Sequence, residues 1–265
     1  MVYQGSKAKL IKDILPYIQN CIDDNKIKSY TEPFVGGANV IQHVDCYSRV
    51  GYDINAELIT LLRYMRDCPD LGQFPEHCSF EHYAEVRKDS KKPREKRKFP
   101  LSYTAGIGYF ASYGGRYFDG GYARANGRDM YAERLARARE EAPRLGGIFF
   151  CCRDFGELNF FHRGSFIYCD PPYKGTKTYR NKGFDYERFY EWLREANENC
   201  FVLVSEYTIP DDFICIWSKE RKVRQKSDRK LAETACEKLY TLKGGLYDKW
   251  FNNKTWDKYF KEKEG

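Results

Sequence analysis

No stretch of this chain is apolar for long enough to cross a bilayer. Its first residues, Met1 to Ile18, are amphipathic and lack the unbroken apolar core of a secretion signal. Membrane-spanning and exported classes are therefore excluded as expectations, and a cytoplasmic protein is predicted. There is no C-x-x-C pair, and His77, Cys78 and His82 form an isolated cluster without a second half, so no metal site is expected. The ten cysteines are scattered through apolar runs, Cys21, Cys46, Cys151, Cys152, Cys169, Cys200 and Cys215 among them. In a chain of this length that pattern predicts buried, reduced thiols and not a disulfide framework. No internal repeat is present.

What is present is a folding composition: 265 residues, 42% hydrophobic and 17% aromatic, enough for one large core or one domain carrying a sizeable insertion. The net charge of +7 and a pI of about 8.7 favour a polyanionic partner. The positive charge is concentrated in Arg87 to Lys98 and Lys219 to Lys230, although such runs are often no more than solvated faces.

Along the chain, Ser6 precedes a helical apolar spacing at Leu10, Ile11, Ile14, Leu15, Ile18 and Ile22. Tyr30 to Glu32 reads as a strand running into a glycine loop, Pro33 to Ala38, followed by a helix near Val40 to Val44. Strand, glycine turn and helix open a nucleotide-type βαβ unit. A second strand, Arg49 to Asp53, ends in an acid about 20 residues later, where such folds bind a ribose. Asn55 should cap the helix through Leu58, Leu61 and Leu62. From Cys68 to Ala142 the alternation breaks down. Phe99 to Tyr131 there interleaves tyrosines with glycines and Arg116, Arg124 and Arg128, the ingredients of a nucleic-acid reading loop; a self-packed insertion is the alternative. Strands resume at Gly147 to Cys152, ending at Asp154, then at Ser165 to Cys169. A helix over Tyr186 to Ala196, a strand over Cys200 to Ser205 and a tail supplying the last strands follow.

Cys169 to Lys174 is the stretch richest in chemistry. Asp170, Pro171, Pro172 and Tyr173 close a short apolar run, as a buried strand does when it opens into a ligand-facing loop. The prolines stiffen the loop and remove donors, leaving carbonyls to accept. With the Asp170 carboxylate and the Tyr173 ring, this suits a planar base bearing an exocyclic amine. A plain turn is the alternative.

Taken in order, Gly5-Ser6-Lys7, Glu32-Pro33-Phe34-Val35-Gly36-Gly37, Tyr52-Asp53-Ile54-Asn55, a basic aromatic insertion, Asp154 and Asp170-Pro171-Pro172-Tyr173 resemble the Dam-like, D12-class DNA adenine-N6 methyltransferases over nearly the whole chain. The D-P-P-Y tetrapeptide also occurs in RNA guanine methyltransferases; E-P-F-V-G followed by D-I-N is more particular. One departure is that Ala38 stands where the family commonly has the second glycine of F-x-G-x-G.

The resemblance implies an α/β, Rossmann-like class I methyltransferase fold: a mixed seven-stranded sheet flanked by helices, with a mostly helical target-recognition insertion. Residues 1–67 and 143–265 would form the catalytic domain and 68–142 the DNA-binding insertion. It further implies S-adenosyl-L-methionine held by Tyr3, Gly5, Ser6, Lys7, Glu32, Pro33, Phe34, Gly36, Gly37, Asp53, Ile54, Asp154, Phe155 and Asp170. Catalysis would fall to Asp170, Pro171, Pro172 and Tyr173 on an adenine flipped out of double-stranded DNA, with a GATC-like site the family's common target. Lys174, Tyr113, Arg116, Tyr117 and Arg124 would contact DNA. The implied enzyme needs no metal, works in a bacterial or phage-infected cytoplasm at the nucleoid, and is a monomer or a weak dimer on DNA. An RNA guanine-N2 methyltransferase and a DNA-binding relative that has lost catalysis are the competing readings.

Overall fold

The computed structural model describes residues 1, 3, 5–158, 163–173, 183–224 and 232–253; Lys174 lies outside the described residues. Seven strands form one mixed sheet: β1 (Ser29–Glu32), β2 (Ser48–Asp53), β3 (Ile148–Cys152), β4 (Phe166–Cys169), β5 (Phe201–Ser205), β6 (Phe213–Arg224) and β7 (Ala232–Leu242), in spatial order β3-β2-β1-β4-β5-β7-β6. The first five are parallel, and β7 runs antiparallel between β5 and β6. This is the mixed seven-stranded, Rossmann-like sheet expected from the sequence.

The apolar runs become strands because both faces are covered. Every residue of β4 is buried, whereas β3, at the sheet edge, alternates and leaves Phe149 exposed. Helix α1 (Ile11–Asp24) buries the apolar stripe seen in the sequence, although Ser6 caps a separate 3-10 turn, Lys7–Lys9, and not α1 itself. Asn55 caps α2 (Ala56–Asp67) by accepting the Leu58 N–H at 3.1 Å. Helix α6 (Tyr186–Asn199) packs beside β5, and α7 (Leu246–Asn252) follows β7.

Three further sequence expectations change. The helix expected near Val40 to Val44 is a single 3-10 turn, Ile41–His43. The chain is drawn out of helix immediately afterwards, where Gln19 Oε1 accepts the Asp45 N–H at 2.9 Å and Gln19 Nε2 donates to the Asp45 carbonyl.

The aromatic stretch Phe99 to Tyr131 is not one reading loop. Its first part is a buried helix, α4 (Leu101–Phe110), lying between α3 (Phe80–Asp89) and α5 (Met130–Glu141). Tyr109, Phe110, Tyr117, Phe118 and Tyr131 are core residues, because Gly106 and Gly108 let α4 approach Phe74 and Tyr117 closely. Self-packing wins for these rings, and only Tyr113 of the larger aromatics remains prominently exposed there.

All ten thiols are free, but Cys152 and Cys215 are exposed, since β3 and β6 are edge strands. Among the described residues no group of His, Cys, Asp and Glu could hold a metal ion, and no helix is long and apolar enough to cross a membrane.

Candidate active site

Parallel strands release their carboxyl ends at one edge of the sheet, so an acid placed at each end is delivered to one place. Glu32 ends β1, Asp53 ends β2, Asp154 follows β3 and Asp170 follows β4. They surround a cavity of about 800 Å³. The sheet order reverses between β1 and β4, the switch point at which open α/β sheets bind ligands.

Asp53 is held from two sides: the Asn55 N–H donates to Oδ1 at 2.9 Å and the Gly36 N–H to Oδ2 at 3.1 Å. Gly36 can turn its N–H this way because its φ is +48°. Surrounding protein nevertheless outweighs the two donors and pushes the Asp53 carboxyl up to about 6. Ala38, at the position where the family commonly has a glycine, adopts φ +56°, a left-handed conformation carried here by the smallest side chain that has a Cβ. Gly37 serves packing: a Cβ there would stand 2.8 Å from the Tyr3 Cβ.

Glu32 is buried, and burial raises its carboxyl well above the ordinary range even though Tyr30 OH donates to Oε1 at 2.7 Å. Phe34, Phe155 and Phe184, on the cavity lining, pack against one another as an aromatic cluster with ring centroids 5.5 to 5.7 Å apart. Arg188, from α6, covers it with its guanidinium 5.0 Å from the Phe155 ring and 3.0 Å from Asp154 Oδ1.

The Asp-Pro-Pro-Tyr turn closes the cavity. Asp170 Oδ1 lies 2.7 Å from the buried Lys7 Nζ. Burial raises the Asp170 carboxyl and the Lys7 ammonium opposes that rise. Among the described residues the Pro171 carbonyl has no donor, whereas the Pro172 carbonyl accepts from Tyr186 OH at 2.9 Å. The Tyr173 ring is set edge to face against Tyr207, centroids 4.4 Å apart, and its hydroxyl donates to Glu237 at 3.0 Å.

Tyr3, Gly5, Ser6, Lys7, Glu32, Pro33, Phe34, Gly36, Gly37, Asp53, Ile54, Asp154, Phe155 and Asp170 through Tyr173 thus all line this one cavity. The described residues expected at DNA share one hairpin, in which the Tyr113 N–H donates to the Gly121 carbonyl at 2.8 Å, but they divide between the cavity lining and the surface. Arg116 and Tyr117 line the cavity, with Tyr117 packed on Tyr109 at 5.3 Å, so it is a buried wall residue and not an exposed reader. Tyr113 and Arg124 lie outside it, and Arg124 rests on the Phe80 ring at 4.9 Å.

Tyr109, Phe184, Arg188, Tyr207 and Glu237 also line the cavity, although the sequence did not mark them as site residues and Tyr109 was expected in a reading loop. For Arg188 a helix start close behind the motif was a signal; Glu237, one of several polar residues in β7, had none.

A family model described as D12 class N6 adenine-specific DNA methyltransferase matches residues 3–201. Type II methyltransferase M1.LlaDCHI of Lactococcus lactis subsp. cremoris is 25% identical over 224 residues, covering 75% of this chain and 78% of that protein. Type II methyltransferase M.FokI of Planomicrobium okeanokoites is 27% identical over 209 residues, 71% of this chain but 31% of that longer protein. A DNA adenine methylase of Vibrio cholerae is 25% identical over 206 residues, 68% of this chain and 66% of its own length.

Proposed function

This chain belongs to the D12 class N6 adenine-specific DNA methyltransferases, and on that premise we propose that it transfers a methyl group from S-adenosyl-L-methionine to the N6 of an adenine flipped out of double-stranded DNA. The observation that carries the reading is the meeting of Asp170, Pro171 and Tyr173 with Asp53 and the Phe34–Phe155–Phe184 cluster around one cavity.

The donor and acceptor chemistry fits this cofactor. The cavity-facing side of the aromatic cluster offers a purine ring an apolar surface to pack on, Asp53 accepts from ribose hydroxyls, and the acids of the cavity face a cationic amino-acid end. When bound, S-adenosyl-L-methionine supplies an electrophilic methyl on a sulfonium whose departing sulfur takes the bonding pair as a neutral thioether. The chain's own residues do the rest. The Asp170 carboxylate and the Pro171 carbonyl accept the two N6 hydrogens, localising the N6 lone pair toward the methyl, while the Tyr173 ring stacks on the base. As the N–C bond forms N6 becomes cationic and must shed a proton. Asp170 is the nearest acceptor, its proton affinity raised by burial. Most of the acceleration on this account is positioning of two bound reactants.

Residues 1–67 and 143–265 form the catalytic part of the proposal and 68–142 the target-recognition part, with Arg124 and Tyr113 at the exposed surface and Arg116 at the cavity rim. A GATC-like sequence is the first site to test. Expression in a methylation-free bacterial host, followed by long-read sequencing, tests the whole reading: N6-methyladenine in one sequence context supports it, and an unmodified genome from cells containing folded protein contradicts it.

A further inference from the structure

Glu237 lies on β7, beyond the 3–201 span matched by the family model. The antiparallel insertion of β7 beside β5 brings it to the cavity wall. Its side chain is 10% exposed, and Oε2 accepts from Tyr173 OH at 3.0 Å. The same Oε2 lies 3.9 Å from Lys7 Nζ. Lys7 is 5% exposed, 2.7 Å from Asp170 Oδ1 and 4.5 Å from the centre of the Tyr173 ring. One buried ammonium therefore stands between two carboxylates, bonded to one and about an ångström short of bonding the other.

That spacing matters if Asp170 is the acceptor for the target amine, a premise taken from the function proposed above. An amine arriving at Asp170 competes with Lys7, and a buried ammonium without a partner is strongly disfavoured. We propose that Glu237 is a positioning residue for methyl transfer. It fixes the Tyr173 ring through the hydroxyl and provides the second seat to which the Lys7 ammonium passes when the target amine takes Asp170. Because Lys7 moves from one carboxylate to another, the cavity keeps its charge balance as the base enters, and Asp170 is released without exposing a bare ion.

The test is kinetic. Glu237→Gln keeps a carbonyl oxygen for Tyr173 OH but removes the charge that receives Lys7. Its kcat is expected to fall about tenfold to a hundredfold, the size of one charged hydrogen bond, with cofactor affinity by calorimetry within about twofold of wild type. Glu237→Asp, which keeps the charge, is expected to recover most of that loss. In the Lys7→Met background, where no ammonium needs a seat, Glu237→Gln is expected to cost little more. A Glu237→Gln enzyme with wild-type kcat overturns the proposal. So does a fully additive double mutant, or a loss that Glu237→Asp shares equally together with a lowered melting temperature, which is the mark of a structural role. Wild-type protein that methylates no adenine contradicts the function proposed above and not this assignment alone.

Discussion

Lys7 Nζ and Asp170 Oδ1 meet at 2.7 Å across 163 residues of sequence. The pair joins the turn that opens the fold to the turn that ends β4, and it places a positive charge against the carboxylate proposed to hold the target amine. If that carboxylate only closed a turn, its loss would cost stability alone. Asp170→Ala is instead expected to lower the methyl-transfer rate about a hundredfold or more. Cofactor and DNA affinities, measured by calorimetry and gel shift, should change far less than the rate.

Asp53 sets a pH dependence for cofactor binding. Its ordinary carboxyl value of 3.8 is raised by its surroundings to about 6. A raised value means that the folded protein binds this proton more tightly than the unfolded chain does. The carboxyl thus disfavours the ligand-free fold increasingly as pH rises from about 4 to 6. Hydroxyl donors prefer the ionised carboxylate, so cofactor affinity should rise as pH increases through 6, with proton release on binding near that pH. Calorimetry in two buffers of different ionisation enthalpy reads the released proton, and Asp53→Asn should flatten the profile.

Arg188 offers a way to perturb the aromatic end of the cavity without changing the rings. A Cβ at Gly156 would collide with the Arg188 guanidinium and not with backbone. That long side chain can move aside cheaply, leaving Asp154 and Phe155 uncovered. Gly156→Ala is expected to leave the melting temperature nearly unchanged while weakening cofactor binding about threefold to tenfold. Equal affinity in the variant and wild type would show that Arg188 does not shape that end of the site.

The basic run after α3 is organised and not merely solvated. Buried Asp89 accepts from Lys92 Nζ at 2.7 Å and from the Lys98 and Phe99 N–H groups at 2.8 and 3.1 Å, curling the chain into a knuckle. Lys91, Arg94 and Lys96 project from it, exposed. Changing these three to serine should lower the slope of log affinity for DNA against log salt by roughly 0.9 for each phosphate no longer neutralised, with kcat unchanged. An unaltered slope would make the knuckle a solvated surface.

How much of this was legible in the sequence follows from where the information lay. Strand-end acids and the Asp-Pro-Pro-Tyr turn announce themselves because period, prolines and charge are local. The order of those motifs carried the family resemblance. Tyr109 and Tyr117 misled because composition does not say whether a ring faces solvent or a neighbouring glycine. The two glycines that looked like loop flexibility, Gly106 and Gly108, are spaces into which rings fit. Glu237 was invisible for another reason: it reaches the site through the antiparallel placement of β7 beside β5, a pairing between segments with no local signature. The short turn at Ile41–His43 was missed because the Gln19 side chain, from a distant helix, ends it.

The central claim is chemical: a methyl group placed on adenine N6 by the Asp170 site. It is tested most directly by incubating purified protein with methyl-labelled S-adenosyl-L-methionine and duplex DNA, digesting to nucleosides and identifying the labelled product by mass spectrometry, alongside Asp170→Ala. The account predicts label in N6-methyladenine with wild-type protein and none above background with the variant. Label in another nucleoside, or equal labelling by the Asp170→Ala protein, would contradict it.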